Sequence, residues 1–195
     1  MGMSPEEVLE LNGDFTRSPL LDTARRLHAL FAAAQIPYVI IGGLSVVRNG
    51  AVRTTIDVDV LLRREDWPRA RASLDPAFET GADQAKDRTN GVDVDFLFSG
   101  SEWDMLVPLP DPSATTEYDE RLGANFLSLR GILELKTAVY LQKKREEGIE
   151  GAAKDLADVV ALVRANGEAI GPGLLDSMHP SIRKELRRIV KKTRK

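Results

Sequence analysis

The sequence predicts an α/β fold in which a small mixed sheet is flanked by helices and followed by a C-terminal helical lobe. Residues 56–62 alternate apolar and acidic side chains with the period of two that a strand requires, and residues 92–98 do the same. Residues 130–147 and 152–165 instead carry apolar side chains at helical spacing. The change of pattern divides the chain into an N-terminal extension (1–18), an α/β domain (19–124) and a helical lobe with a basic tail (125–195).

The elements at the front of the chain have recognisable boundaries. Residues 19–34 form an amphipathic helix for which Ser18 is a suitable N-cap. The continuous apolar run at residues 38–41 indicates a strand buried on both faces, and Gly42-Gly43 ends it. In the next strand, alternation predicts a shared core-facing side for Ile56, Val58, Val60 and Leu62.

Composition excludes several classes of protein. The 195 residues include no cysteine, which removes disulfides, zinc-thiolate sites and cysteine nucleophiles and fits a cytoplasmic location. The net charge of −3 shows that the chain as a whole is not a basic nucleic-acid coat. No apolar run approaches the ~20 residues that span a bilayer, so no membrane partner is expected.

Two acidic pairs are the candidate metal ligands. Asp57 and Asp59 are two residues apart on one strand and therefore project from the same face. Asp93 and Asp95 repeat this arrangement on another strand, and either would supply a third carboxylate. Hard oxygen ligands of this kind suit Mg²⁺ or Mn²⁺, which complete their shell with water and substrate phosphates. The alternative is that both pairs are solvated faces of ordinary strands.

A glycine turn precedes these carboxylates. Gly42 and Gly43 stand between a strand and a short helix, where glycine lets backbone amides approach a phosphate closely. The hydroxyl of Ser45 would add a further donor. Together with the acidic pair, the turn describes a triphosphate held between backbone amides and a metal ion, although a Gly-Gly pair by itself is more often a tight turn.

The segment IGGLSVVRNGAVRTTIDVDVLL resembles the signature of the nucleotidyltransferase superfamily, which has a polymerase-β-like fold. That signature is a glycine turn followed, about a dozen residues later, by Asp-x-Asp between apolar residues, and here 13 residues separate Gly43 from Asp57. The later segment GVDVDFLF resembles the strand that carries the third carboxylate. The resemblance implies transfer of a nucleoside monophosphate from a nucleoside triphosphate to a hydroxyl acceptor, with two metal ions.

The rear half resembles one branch of that superfamily, the toxins of type IV toxin–antitoxin and abortive-infection systems. The matching features are Lys136 on a helix, the Lys154-Asp155-Leu156-Ala157-Asp158 segment, and Arg53 on the approach to the acidic pair. This resemblance implies an antitoxin partner and favours a tRNA or protein acceptor, with an aminoglycoside hydroxyl left open as a third acceptor. From the residues alone, Lys136 is equally a snorkelling lysine, Asp155 a helix-dipole partner, and Arg53 a structural partner of an aspartate.

The resemblance also assigns roles to particular residues. Asp57, Asp59 and Asp95 would hold the metal ions, with Asp95 preferred to Asp93 because an apolar run follows it directly. Lys136 would touch phosphate or base, and Asp155 would orient a partner near the site. The predicted nucleotide-binding residues are Gly42, Gly43, Ser45 and Arg53.

The basic C-terminal tail supports a second hypothesis. The last 14 residues, IRKELRRIVKKTRK, hold eight basic side chains and one acidic side chain, so positive charge is concentrated there. Such a segment is either a solvated amphipathic helix or an electrostatic arm for RNA. The alternatives to a transferase are therefore a nucleotide-binding regulatory module without turnover and an RNA-binding interaction protein.

Overall fold

The computed structural model describes residues 18–100, 108–114 and 116–193, and within them seven strands form one mixed sheet. Of the predicted N-terminal extension, only Ser18 lies inside the described residues, and the last two residues of the basic tail also lie outside them. The strands are β1 (Tyr38–Ile40), β2 (Asp57–Arg63), β3 (Phe78–Thr80), β4 (Gln84–Asp87), β5 (Asp93–Ser99), β6 (Thr116–Asp119) and β7 (Ala124–Leu127).

The predicted α/β fold is confirmed, with β2 at the centre of the sheet. The strand order is β3-β4-β5-β2-β1-β7-β6. Strand β2 is parallel to β5 on one side and antiparallel to β1 on the other. The sheet is therefore mixed, as predicted, but it is wider than the sequence indicated, because β3, β4 and β6 fall in stretches without clear strand periodicity.

Eight helices accompany the strands in the described part of the chain. They are α1 (Pro19–Ala33), α2 (Gly42–Arg48), α3 (Trp67–Leu74), α4 (Leu129–Glu146), α5 (Gly148–Gly151), α6 (Ala153–Ala165), α7 (Pro172–Asp176) and α8 (Pro180–Thr193). The hydroxyl of Ser18 caps α1 by accepting from the Leu21 amide at 3.3 Å, as the sequence predicted. None of these helices has the length and apolar character that a membrane span requires.

The two faces of the sheet pack against different helices, and alternation along β2 assigns each side chain to one of them. Val58, Val60 and Leu62 face the core formed with α1 and α3. Leu61 faces the other core, formed with α4, α6 and α8, and the alternating position of Asp59 turns it to the same side. The acidic pair therefore faces the helical lobe. Ile56 does not join the first face, contrary to prediction, because it precedes β2 and is 82% exposed.

A buried carboxylate at the end of β4 fixes α1 to the sheet. Asp87 is fully buried and accepts hydrogen bonds from Thr23 at 2.7 Å and from Arg26 Nη2 at 2.6 Å. Burial alone would raise the pKa of Asp87, but the bonds from Thr23, the Thr89 amide and Arg26 outweigh it and lower the pKa. Asp87 is thus held in its ionised form.

We predict that Asp87→Asn lowers the free energy of unfolding by about 2–3 kcal/mol, because the substitution weakens hydrogen bonds from buried and charged donors. Urea titration of both proteins at neutral pH measures the difference. Since the folded pKa lies below the ordinary carboxyl value, this stabilisation is fully present above about pH 4 and is lost as the pH falls through the lowered value.

The matched control is Asp83→Asn. Asp83 forms an ion pair with Arg64 at 3.2 Å in which both side chains are at least half exposed. Its removal should change the free energy of unfolding by less than about 0.5 kcal/mol. Equal losses in the two variants would show that the Asp87 contacts do not fix α1.

Candidate active site

The four predicted carboxylates lie on neighbouring strands. Strands β2 and β5 are parallel, and their register places Asp57 beside Asp93 and Asp59 beside Asp95. Side chains paired in this way point to the same side of a sheet. One face of the sheet therefore carries all four acids, on the side of the helical lobe.

Asp95 and Asp93 differ in their surroundings. The pKa of Asp59 is raised mainly by burial and next by the negative charge of Asp57. The positive charge of Lys136 lowers it, and the negative charge of Asp95 raises it again. Asp95 thus acts electrostatically on the central carboxylate, and it accepts a hydrogen bond from the Gln84 amide at 2.9 Å. Asp93 is 64% exposed and pairs with Lys86 at 2.7 Å. Asp95 therefore acts on the Asp59 carboxylate, whereas Asp93 is exposed and paired, and the choice of Asp95 as the third carboxylate stays a prediction.

The Gly42-Gly43 turn packs directly on the acidic pair. Gly42 has a φ of +60°, and a Cβ atom there would overlap the carboxylate of Asp59. A Cβ atom at Gly43 would overlap the side chain of Thr55, which itself donates to Asp57 at 2.9 Å. Because any larger side chain would displace these contacts, glycine at both positions lets the turn approach the carboxylates closely.

The structure does not bring Ser45 to this site. Its side chain is fully buried, and its hydroxyl donates to the Ile40 carbonyl at 2.6 Å. This hydroxyl ties α2 to β1, and Ser45 is not among the residues that line the adjacent cavity. A role for Ser45 in binding a triphosphate stays a prediction.

A buried ion network connects the segment before β2 to the helical lobe. The ammonium of Lys136 on α4 lies 3.2 Å from Asp155 and 2.9 Å from Asp158, both on α6. Asp158 also pairs with Arg53 at 3.1 Å, and Asp155 with Lys143 at 2.9 Å. Each carboxylate therefore has two cationic partners.

The network holds Asp155 in the charged form. Burial by itself would raise the pKa of Asp155, but the hydrogen bond from Lys143 and the charges of Lys136 and Lys143 outweigh it and lower the pKa. Arg53 has the structural role that the sequence left open, as the partner of Asp158. Lys136 is an ion-paired residue at the junction of the two regions.

A cavity of about 210 Å³ lies between the sheet and the helical lobe. The glycine turn and the acidic pair line one side, and cationic and apolar residues of the lobe line the other. Its lining includes most of the predicted site, namely Gly42, Gly43, Arg53, Asp57, Asp59, Lys136 and Asp155, together with Lys143 and Lys154.

A second, wider groove of about 570 Å³ adjoins the cavity. It runs over β3, β4 and β5, and Asp57 lines both spaces. Asp95 faces this groove and not the cavity, beside Gln84 and Lys86. The predicted carboxylates therefore stand at the boundary between two spaces that open on different sides of them.

The donor set fits a hard divalent cation, although it is not gathered into a closed shell. Asp57 and Asp59 offer carboxylate oxygens from one strand face, the ligands that Mg²⁺ and Mn²⁺ prefer. Across the described ranges, no group of three or more histidine, aspartate or glutamate side chains is arranged closely enough to hold an ion. Mg²⁺ usually needs only one or two carboxylates, with water and substrate phosphates completing its shell.

Three residues that line the cavity or the groove were given no role by the sequence: Lys143, Lys154 and Gln84. Lys143 follows Lys136 by seven positions, two helical turns along the same face, and this spacing is a signal that the sequence contains. Lys154 directly precedes Asp155 in the segment that resembles the toxin branch, where only Asp155 was given a role. Gln84 had no signal, because β4 itself was not predicted.

Comparison with known proteins agrees with this architecture. No protein-family model matches the chain, and no curated protein matches its sequence. The structure is similar to that of ANT(2'')-Ia in complex with adenylyl-2''-tobramycin, with a TM-score of 0.55 and 12% identity over 88% of this chain and 98% of that one. The solution structure of the antibiotic-resistance factor ANT(2'')-Ia gives a TM-score of 0.55 and 10% identity over 89% of this chain and 94% of that one.

A third similar structure is an antigenic nucleotidyltransferase-like protein from Paracoccidioides brasiliensis. Its TM-score is 0.59, with 17% identity over 89% of this chain and 88% of that one. The chain therefore has the nucleotidyltransferase fold, as its sequence motifs indicated. At these identities the likeness establishes the fold, and the chemistry has to be argued from the residues of the site.

We predict that Gly42→Ala lowers the free energy of unfolding by about 3 kcal/mol, because it combines a strained positive φ with displacement of the Asp59 carboxylate. Gly91→Ala is the matched control, since Gly91 has a φ of +74° but no atom near its Cβ position. The control should lose only about 1–2 kcal/mol. Equal losses in denaturant titrations would contradict the close packing of the turn on Asp59.

Proposed function

We propose that the chain is a metal-dependent nucleotidyltransferase that moves a nucleoside monophosphate from a nucleoside triphosphate such as ATP to a hydroxyl acceptor. One observation carries the proposal: the glycine turn, the Asp57 and Asp59 pair and several cationic side chains line the same cavity. Amides, hard oxygen ligands and cations are the three groups that hold a triphosphate with its metal. The same proposal includes a cytoplasmic location, because the proposed reaction requires a supply of nucleoside triphosphate.

In this mechanism, Asp57 and Asp59 hold Mg²⁺ or Mn²⁺, which supplies charge neutralisation at the phosphates when bound. Thr55 keeps Asp57 oriented, and the glycine turn keeps Asp59 in place. Asp95, which lines the groove, would take the proton of the acceptor hydroxyl. The acceptor oxygen then bonds to the α-phosphorus, and the bond to the leaving pyrophosphate breaks.

The groove over β3, β4 and β5 is the proposed approach for the acceptor. It adjoins the triphosphate cavity at Asp57 and contains Asp95, so an acceptor hydroxyl there lies beside the proposed proton acceptor. Gln84 is positioned to orient Asp95, because its amide donates to one carboxylate oxygen and leaves the other free for a proton.

An RNA acceptor is supported by the charge on α8. Its apolar residues Ile182, Leu186, Ile189 and Val190 are buried against the body of the protein, which turns the basic side chains outward. Lys184, Lys191 and Lys192 are exposed. A protein hydroxyl is the other acceptor that the sequence favours. Since ANT(2'')-Ia was solved with adenylyl-2''-tobramycin, an aminoglycoside hydroxyl is a third acceptor to test.

The toxin role and the antitoxin partner rest on the sequence resemblance alone. Lys136 and Asp155, which carry that resemblance, are both buried in the ion network. Co-expression with the product of the adjacent reading frame is the direct test. Relief of growth inhibition by that product would support a toxin–antitoxin pair.

We predict that the wild-type protein transfers label from an α-labelled nucleoside triphosphate, with Mg²⁺, to one of three acceptors: tRNA, cell protein or an aminoglycoside. Asp59→Asn should lower the rate at least about 100-fold, because metal-held charge stabilises the transition state by several kcal/mol. Asp93→Asn is the matched control, since Asp93 shares the strand face but is exposed and paired with Lys86. Its rate should stay within about threefold of wild type.

Two outcomes would contradict this assignment. The absence of transfer to every acceptor, with Mg²⁺-dependent nucleotide binding retained, would favour the regulatory module without turnover. Equal rates in wild type and Asp59→Asn would remove the proposed metal ligand from the mechanism.

We predict that the double variant Lys191→Glu with Lys192→Glu binds tRNA more weakly than the wild type does. The steepness of log affinity against log salt should fall by about two, because two fewer protein cations displace counterions from the RNA on binding. The charge-preserving pair Lys191→Arg with Lys192→Arg should bind as the wild type does. Filter binding across a salt series measures both. Identical slopes in all three proteins would rule out α8 as the RNA-binding surface.

A further inference from the structure

The cations that line the triphosphate cavity are not equally available. Lys136 directs its ammonium to Asp155 and Asp158, and only 11% of its side chain is exposed. Lys143 contacts one carboxylate and is 38% exposed. Lys154 is exposed and has no carboxylate within ion-pair distance among the residues that the structure describes. An arriving anion would therefore meet Lys143 and Lys154 more readily than Lys136.

The charges of the ion network also distinguish Lys143 from Lys136. Three cations, Arg53, Lys136 and Lys143, contact two carboxylates, Asp155 and Asp158, so these five groups carry one net positive charge. Lys143 is the most exposed of the three cations, so Lys143 and Lys154 present the accessible positive charge on the lobe side of the cavity. A polyphosphate needs such an excess, because charges already neutralised by nearby carboxylates attract it only weakly.

We propose that Lys143 and Lys154 bind the polyphosphate of the nucleoside triphosphate, and that Lys136 is a positioning residue that holds the network together. This inference rests on the proposed function for the identity of the ligand, and it changes the role that the sequence resemblance gave to Lys136. It places the polyphosphate between the lobe and the glycine turn.

The locations of the two lysines suit this role. Lys143 lies near the end of α4, two turns beyond Lys136, and Lys154 lies in the first turn of α6. Both line the cavity that contains Gly42, Gly43 and the acidic pair. Lysine presents a compact charge on a flexible stem, so it can follow a phosphate that changes position as pyrophosphate leaves.

Asp155 connects the two roles. One of its oxygens accepts from Lys136 and the other from Lys143. If a phosphate oxygen takes Lys143, Asp155 keeps Lys136 as its partner and remains compensated. If a phosphate took Lys136 instead, Asp158 and Asp155 would each lose a partner in a buried place, which is costly. The network therefore releases Lys143 more easily than Lys136.

The test is the affinity of the full-length protein for tripolyphosphate with Mg²⁺, measured by isothermal titration calorimetry without any acceptor. We expect Lys143→Gln and Lys154→Gln each to raise the dissociation constant about tenfold, since each removes one charge-assisted contact. Lys143→Arg should restore most of the affinity. Lys144→Gln is the matched control, because Lys144 is the neighbouring lysine but lies over the ring of Tyr140 and outside the cavity.

Lys136 is expected to behave differently. Lys136→Met should lower the melting temperature clearly, because it removes the cation that Asp155 and Asp158 share in a buried place. Lys143→Gln removes a contact to one carboxylate at a more exposed position and should lower the melting temperature less. Lys136→Arg keeps the charge and serves if the methionine variant does not fold. Its dissociation constant for tripolyphosphate should stay within about threefold of wild type.

The inference is overturned if wild type fails to bind tripolyphosphate, if Lys143→Gln and Lys154→Gln bind it as wild type does, or if Lys136→Arg loses as much affinity as they do. These outcomes are distinguishable from failure of the proposed function. If the wild type never transfers label but the two variants bind tripolyphosphate more weakly than it does, the lysine site stands and the proposed transferase activity is wrong. If the wild type transfers label but the two variants bind tripolyphosphate as tightly as it does, the transferase activity stands and the lysine site is wrong.

Discussion

The ion network between Arg53, Lys136, Lys143, Asp155 and Asp158 is the constraint on which the site depends. It joins the segment that leads into β2 to helices α4 and α6, so it sets the distance between the acidic pair and the lobe that faces it. Buried ion pairs are poor sources of net stability, because desolvation offsets most of their attraction. Here the ion pairs fix the geometry of the cavity wall, because each carboxylate has two cationic partners.

The sheet supplies the opposite wall by a simpler rule. Parallel pairing in register puts Asp59 beside Asp95, and alternation turns both to the same face of the sheet. The accumulated negative charge raises the pKa of Asp59, after the larger effect of burial. Acids at this density need a cation nearby, and Lys136 already acts on Asp59 from the lobe. The two walls are therefore electrostatically complementary as well as adjacent.

Much of the fold was legible in the sequence because it depends on local pattern. Ser18 caps α1 as predicted, and β2 and β5 alternate as their side chains required. Strands β3, β4 and β6 were not found, since their short segments carry mixed polar residues and are stabilised by pairing with neighbours. The error at Ile56 has the same origin, because only the position of the strand end decides whether that side chain is covered.

The site shows the same division. The sequence by itself determined the acidic pair, the glycine turn and the nucleotidyltransferase fold, because short-range spacing dictates which side chains share a face or a turn. Only the tertiary structure decided that Ser45 is tied to β1, that Asp95 faces the groove, and that Lys136 is saturated by two carboxylates. These facts depend on contacts between residues distant in the chain, and burial decides which charges stay available to a ligand.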